Sequence, residues 1–352
     1  MVRTVPGSGQ SAGTAPPVPA RAQHPTLVDV ARQANVSAST ASRALQDSPR
    51  ISEPTKRRVR AAARRLGYEP NRIARSLRTR SANFVGIVVP DIGVGFYSRV
   101  VKGAGDVLEK AGYQMLVMST EREPERERKA LRTLLEHRVD GILLATSGAA
   151  VPPPRGLVVF FDNIVADAGV ANVALANRAG MALLVEHLAG HGHERIAYIG
   201  GPVSSTSGEE WLDGFRRSLA RLGLPEPPGA VQVGDTVWSS GSGGEAMRRL
   251  LALPAPPTAV VAASDTLALG AMQACRDAGL RVPADVALAS FDDPAFGDLL
   301  DPPITALARN DRRLGELAAS LVLHALEVGV EGPPSEVRVP VELAVRRSCG
   351  CP

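Results

Sequence analysis

Residues 36–45 read VSASTASRAL. Hydroxyl side chains at Ser37, Ser39, Thr40 and Ser42 share this stretch with alanines and a single cation, Arg43. Small residues let a helix approach the floor of a DNA major groove about 12 Å wide. Hydroxyls can bond phosphates or base edges, and an arginine can take guanine O6 and N7 in two parallel bonds. The chemistry on offer is nucleic-acid reading, with Ala38 and Ser39 set deepest and Arg43 as the principal base reader. A small packed helix with one surface arginine fits the same spacing. The next stretch, ISEPTKRRVRAAARRLGY at 51–68, carries the charge that would anchor phosphates.

These residues need short helices to hold them. TLVDVARQA places Leu27, Val30, Ala31 and Ala34 on one helical face, with Thr26 as a candidate N-cap. Asn35-Val36 breaks the pattern, and Ser37 can cap a second helix running to Leu45. A third helix starts at Ser52-Glu53-Pro54 and stops at Gly67. Two short helices joined by a tight turn make a helix-turn-helix candidate. From Phe84 onward the pattern changes. FVGIVVP, YQMLVMS, DGILLA, LVVFFD, RIAYIGG, TAVVAAS and VALASFD read as buried strands. Helices are expected between them near 97–111, 124–137, 178–190, 211–222, 243–252, 265–278 and 311–328. Alternation of this kind predicts parallel, doubly wound sheets, and the number of strands is better served by two Rossmann-like subdomains with a cleft between them.

Charge divides the chain in the same place. The segment His24–Asn83 holds 13 Lys/Arg against 4 Asp/Glu, a balance of +9, while the whole chain carries only +4. A basic head on an acidic body points to a polyanionic partner for the head. The three cysteines, Cys275, Cys349 and Cys351, are too few and too badly spaced for a disulfide framework or a zinc site. Residues 1–24, rich in Pro, Gly, Ser and Ala, lack the apolar core of a signal peptide and read as a disordered arm. No apolar run approaches the length of a membrane span, so a cytoplasmic, nucleoid-associated protein is expected.

The chain resembles the LacI/GalR (lactose/galactose repressor) family of bacterial transcription factors. The head carries the resemblance in TLVDVARQANVSASTASRAL and in ISEPTKRRVRAAARRLGYEPNRIARSLRTRSANFVGIVVPD. The body adds EHLAGHGHERIAYIGGP, SDTLALGAMQACRDAGLRVPADVALASFDD and PPITALARNDRRLGELA. The resemblance implies a helix-turn-helix domain over 25–69 and a hinge helix and linker over 70–83. An effector-binding and dimerisation domain of periplasmic-binding-protein type would span 84–348. Subdomain one would take 84–175 plus 309–328, and subdomain two 176–308 plus 330–348. Leu77 matches the family's minor-groove wedge, which unstacks a central base step and is repaid by wrapped contact. Asn71, Arg72, Ala74 and Arg75 would accompany it, and Thr26 joins the residues expected on DNA.

For the body the resemblance implies ligand groups at strand ends. Phe96 and Tyr97 offer an aromatic platform or plain packing. Asp162 in FFDN and Asp292 in ASFDD fall where the family holds ligand-side acids, and a carboxylate can accept two hydroxyl hydrogens. Trp238 matches an aromatic position of some members. Ser264 stands where Asn is more usual, with Asp265 beside it read as the cap of the next helix. Three departures rearrange the cleft: Trp211 stands where the family usually has Arg, Arg309 where it often has Gln, and Ala176 where it usually has Asp.

Other chemistry finds little support. His187, His191 and His193 cluster in EHLAGHGHE, the first two at metal-binding spacing, but no acid or cysteine is seen to complete a site. No metal and no cofactor are expected, and Cys275 and the CGCP tail read as packing and a frayed end. There is no G-x-S-x-G and no Ser/His/Asp set, so an enzyme is disfavoured. A solute-binding protein is opposed by the basic head. The expectation is a repressor, a homodimer on near-palindromic double-stranded operator DNA, controlled by a small effector: a carbohydrate by resemblance, with an atypical sugar, an anionic metabolite or no effector left open by the rearranged cleft charge.

Overall fold

The computed structural model describes residues 25–68, 82–146, 156–165, 171–234, 238–329 and 336–351. The chain divides into two units, Met1–Arg78 and Thr79–Pro352.

In the first unit, α1 (Leu27–Gln33), α2 (Ala38–Leu45) and α3 (Glu53–Leu66) pack on one another. Thr26 caps α1 in a reciprocal box: the Asp29 amide donates to Thr26 Oγ1, and the Thr26 amide donates to Asp29 Oδ2 at 2.9 Å. Asn35 turns the chain at φ 51°, a left-handed conformation that Asn tolerates. Ser37 then caps α2, its Oγ accepting from the Thr40 amide at 3.1 Å. Each such cap is worth about 1 kcal/mol. Gly67 ends α3 at φ 63°. The core is small and rich in alanine: Val30, Ala31, Ala34, Ala41, Ala44, Val59, Ala62 and Ala63. The basic third helix is not wholly free for phosphates. Lys56 is buried and bonded by Glu53 at 2.8 Å and Asp47 at 3.0 Å, and Arg60 reaches Asp47 at 2.7 Å. Arg57, Arg58, Arg64 and Arg65 remain exposed.

The second unit holds two six-stranded sheets. The first contains β1 (Phe84–Val89), β2 (Gln114–Ser119), β3 (Gly141–Leu144), β4 (Val158–Phe161), β5 (Asn172–Leu175) and β11 (Glu336–Val339), in the order β11-β5-β4-β3-β1-β2. The second contains β6 (Ile196–Gly200), β7 (Val231–Val233), β8 (Ala259–Ala262), β9 (Ala287–Ser290), β10 (Thr305–Arg309) and β12 (Val341–Ala344), in the order β12-β10-β9-β8-β6-β7. Every pairing is parallel except β10 with β12. Helices cover both sheets, which explains strands that are apolar throughout rather than alternating. They are α4 (Gly95–Lys110), α5 (Pro124–Glu136), α6 (Asn177–Gly190), α7 (Thr206–Leu222), α8 (Ser240–Leu251), α9 (Asp265–Asp277) and α10 (Asp311–Val328). Helix α7 starts five residues before the expected 211, because Ser205 caps it by accepting from the Gly208 amide at 3.2 Å. Among the described residues no helix is long and apolar enough to cross a membrane.

The chain passes between sheets at 175–177, 309–311 and 339–341. The assignment of all of 330–348 to the second subdomain is therefore corrected. β11 pairs with β5 in the first sheet, Glu336 opposite Asn172, and only β12 joins the second. Both strands are four residues long and separated by Pro340 alone, too short for periodicity to divide them.

Helix α10 returns to pack against α4 at backbone contact. A Cβ on Gly103 would strike the Arg312 carbonyl, and one on Gly315 would strike the Val100 carbonyl. In an open helix Gly→Ala stabilises by up to about 1 kcal/mol. Here Gly315→Ala is expected to destabilise by about 1–3 kcal/mol through overpacking, read as a lowered urea midpoint. A raised midpoint would contradict the close packing.

Candidate DNA-reading helix and effector cleft

Helix α2 divides cleanly. Ala41 and Ala44 are buried against α1 and α3, while Ala38, Ser39 and Arg43 are exposed and Thr40 and Ser42 half-exposed. Helical spacing puts positions 38, 39, 42 and 43 on the outward face. Ser37 Oγ is engaged with Ser39 Oγ at 2.9 Å and Thr40 Oγ1 at 2.8 Å, so part of the hydroxyl cluster organises the helix start. Among the described residues no carboxylate pairs with Arg43. A solvent-facing guanidinium on an otherwise small face suits bidentate base reading. Thr26 is exposed at the α1 cap. Asn71, Arg72, Ala74, Arg75 and Leu77 lie outside the described residues. Arg43→Ala is expected to cost about 1–3 kcal/mol and to relax preference at one base of each half-site, measured against a panel of singly substituted operators. A uniform loss across the panel would make Arg43 a phosphate contact.

In the body, parallel strands bring side chains from many loops to their carboxyl ends. Asp162 follows β4 at φ 70°, and Tyr97 in the first turn of α4 donates its hydroxyl to Asp162 Oδ2 at 2.9 Å. Phe96 packs edge-on to Tyr97, with ring centroids 4.9 Å apart. From the second sheet, Arg309 at the end of β10 lays its guanidinium 4.9 Å from the centre of the Phe96 ring. Its Nη1 donates to Asp292, and its Nη2 reaches Asp311 Oδ2 at 3.3 Å. Arg99 closes the set from α4, donating Nε to Asp311 Oδ2 at 2.9 Å. Arg309 and Asp311 are 5% and 2% exposed, so these charges are held away from water. Asp311 Oδ1 has no hydrogen bond of good geometry, although Arg309 Nε stands 3.3 Å away. Burial pushes the Asp162 carboxyl up to about 6 and the Asp292 carboxyl up to about 7, the latter against the pull of Arg309.

An aromatic wall adjoins these charges. Trp211 in α7 packs on Phe291 at 5.1 Å and on Trp238 at 5.6 Å, and donates Nε1 to Asn177 Oδ1 at 3.1 Å. Trp211 thus stands where the family arginine was expected and supplies surface instead of charge. Ser264, buried at the head of α9, accepts on its Oγ from the Leu267 amide at 3.2 Å. The cap of α9 is therefore Ser264 and not Asp265, which sits one residue inside the helix and bonds the Thr266 amide at 2.7 Å. Asp311 belongs to the constellation and was not singled out from sequence; its only signal was an acid directly after Arg309-Asn310.

The two halves are fastened to each other. Asn163 Oδ1 accepts from the Ser207 amide at 3.1 Å and the Ser207 hydroxyl at 2.9 Å, and Thr206 donates to the Ile164 carbonyl at 2.7 Å. Glu210 in α7, 2% exposed, accepts both Arg338 Nη atoms at 2.7 Å, Arg178 at 2.8 Å and Asn177 at 2.9 Å. Arg338 lies on β11 of the first sheet, so this buried carboxylate bonds the two subdomains directly.

The reading that no cysteine completes the histidine pair is also corrected. Cys349 and Cys351 fold back onto His187 of α6 and His191, the residue that caps its C-terminus. Sequence distance, 349 against 187, hid the approach.

The comparisons with known proteins agree with this architecture. Residues 26–71 match the family model for bacterial regulatory proteins of the lacI family, and residues 185–349 match a periplasmic binding protein-like domain. The ribose operon repressor of Escherichia coli (strain K12) is 33% identical over 308 residues, covering 86% of this chain and 93% of that protein. The transcriptional repressor CytR of the same organism is 31% identical over 329 residues, covering 92% and 96%. The lac repressor dimer bound to operator and the anti-inducer ONPF superposes with a TM-score of 0.84 at 28% identity, covering 93% and 99%. A complex of the transcriptional regulator CelR with cellobiose gives 0.71 at 30% identity, covering 92% and 99%. A helix-turn-helix head on a two-sheet ligand-binding body, with these relatives, places the chain in the LacI family of bacterial regulatory proteins, as a DNA-binding repressor under small-molecule control.

Proposed function

We propose that this chain is a homodimeric repressor whose operator affinity is set by a neutral, polyhydroxylated molecule of carbohydrate class held between its two subdomains. The observation that carries the ligand class is the pairing of Arg309. Its charge is balanced by Asp292 and Asp311 inside the cleft, with Asp162 a further carboxylate nearby. Such a cleft is richer in acceptors than in free cations. It favours hydroxyl donors and disfavours an anionic metabolite, which would face uncompensated carboxylates. Trp211 and Trp238 supply the apolar surface on which a sugar ring can lie. The relatives support the same class: one is named for the ribose operon, and another is complexed with cellobiose.

Control follows from the bonds between the two halves. A ligand that binds the fastened halves better than the parted ones stabilises the closed body, and linkage then changes operator affinity by the same coupling factor, about 1–3 kcal/mol in known systems. On DNA, two α2 helices would enter successive major grooves about 34 Å apart. The Leu77 wedge is part of the proposal on sequence resemblance alone. Selection of bound duplexes from a random pool, repeated with pentoses, hexoses, disaccharides and anionic metabolites, tests the reading. It expects a near-palindromic site whose retention changes with a carbohydrate. A response confined to an anion would overturn the ligand class.

A further inference from the structure

We propose that His187, His191, Cys349 and Cys351 form a site for a soft divalent cation of the zinc kind, which fastens the end of the chain to α6. His187 lies in the last turn of α6 and His191 is its C-cap residue, one helical turn on, so both imidazoles leave the same side of the helix end. Their ring centroids are 4.8 Å apart. Cys351 Sγ lies 3.0 Å from His191 Nε2 and 3.9 Å from His187 Nε2, and one ligand atom from each of the four residues falls within 4.8 Å of all the others. A tetrahedron with zinc–sulfur and zinc–nitrogen bonds of about 2.3 and 2.0 Å has edges of roughly 3.3–3.8 Å, so small rotations of these side chains close it. Two thiolates with two imidazoles select zinc-like ions over the hard cations magnesium and calcium.

The backbone is built to present this set. A short 3-10 turn, Arg347–Cys349, seats Cys349 in the core, and Gly350 at φ 97° reverses the chain so that Cys351 faces the same point. Cys349 is buried, with the Thr305 hydroxyl 3.1 Å from its sulfur, placed to donate to a thiolate. His191 is exposed and His187 and Cys351 half-exposed, which leaves a solvent path to the centre. His193, the third histidine of the cluster, faces Thr258 at 3.1 Å and takes no part. The segment so fastened also carries Arg346, which grips Asp293 at 2.7 and 2.9 Å beside the ligand-side Asp292.

Cobalt(II) titration of the reduced protein tests the site. The expected result is about one equivalent bound per chain, with intense tetrahedral d–d bands, a thiolate-to-cobalt charge-transfer band in the near ultraviolet, and displacement by zinc. The charge-transfer band should weaken in Cys351→Ser and the tetrahedral bands should collapse in His191→Ala, while Cys275→Ser keeps the full spectrum. All three variants are checked for parental circular dichroism. A protein that binds no cobalt, or a spectrum that is the same in Cys351→Ser as in the parent, overturns the proposal.

Discussion

Arg309→Met is expected to destabilise the body by about 3–5 kcal/mol, the cost of leaving buried carboxylates without their cation. Met keeps the apolar stem but ends where Nε stands, short of the guanidinium over Phe96, so the loss has an electrostatic part and a packing part. The pH profile separates the two. Burial already raises Asp292 to about 7, far above its unfolded value of 3.8. A carboxyl raised in the folded state holds a proton that the unfolded chain has released. Its contribution to stability therefore falls as pH rises from about 4 to about 7 and is level above that. Without Arg309 the folded-state value rises further, and the window extends upward. The deficit of Arg309→Met relative to the parent should thus shrink toward pH 5 and grow toward pH 8, measured by urea unfolding at each pH. A deficit independent of pH would mean that Arg309 acts by packing alone. Operator binding by the remaining folded protein should survive, and the response to the effector should be lost.

Glu210→Gln is the second large effect. Its carboxylate takes four donors from Arg338, Arg178 and Asn177 in a buried position. Glutamine keeps the shape, removes the charge and turns one acceptor into a donor that faces these same donors. A loss of about 3–5 kcal/mol is expected. Because Arg338 comes from the first sheet and Glu210 from the second subdomain, the substitution also loosens the closed body. Effector affinity measured on the folded fraction should weaken, by about tenfold for each 1.4 kcal/mol of closure lost. Lowered stability with unchanged effector affinity would make Glu210 a purely structural residue.

Local rules carried the head almost completely. Thr26, Asn35, Ser37 and Gly67 act within a few residues of themselves, so caps and turns can be read along the chain. Strands β1 and β8 are continuous apolar runs, visible for the same reason. NVAL, VQV, TALAR, EVRV and VELA are shorter or carry charge, and their strand character comes from neighbours in the sheet rather than from their own pattern. The charged cluster around Arg309 was partly visible. Asp162, Asp292 and Arg309 sit at strand ends, where ligand groups gather. Asp311, Glu210 and Arg338 were not, because their roles depend on partners far away in sequence. Asp311 is a first-turn helix acid by local reading and becomes a buried counter-ion shared by two cations only when α4 brings Arg99 beside it. The histidine–cysteine cluster was missed for the same reason, as its halves are separated by more than a hundred residues.

The central claim is that one cleft governs one DNA-reading head. Its most direct measurement is operator affinity with and without a saturating carbohydrate from the selection panel, in the parent and in Asp292→Asn. The account predicts that the sugar changes the parent's operator affinity by about 5–150-fold and that Asp292→Asn binds operator like the unliganded parent and ignores the sugar. An undiminished response in Asp292→Asn would contradict it.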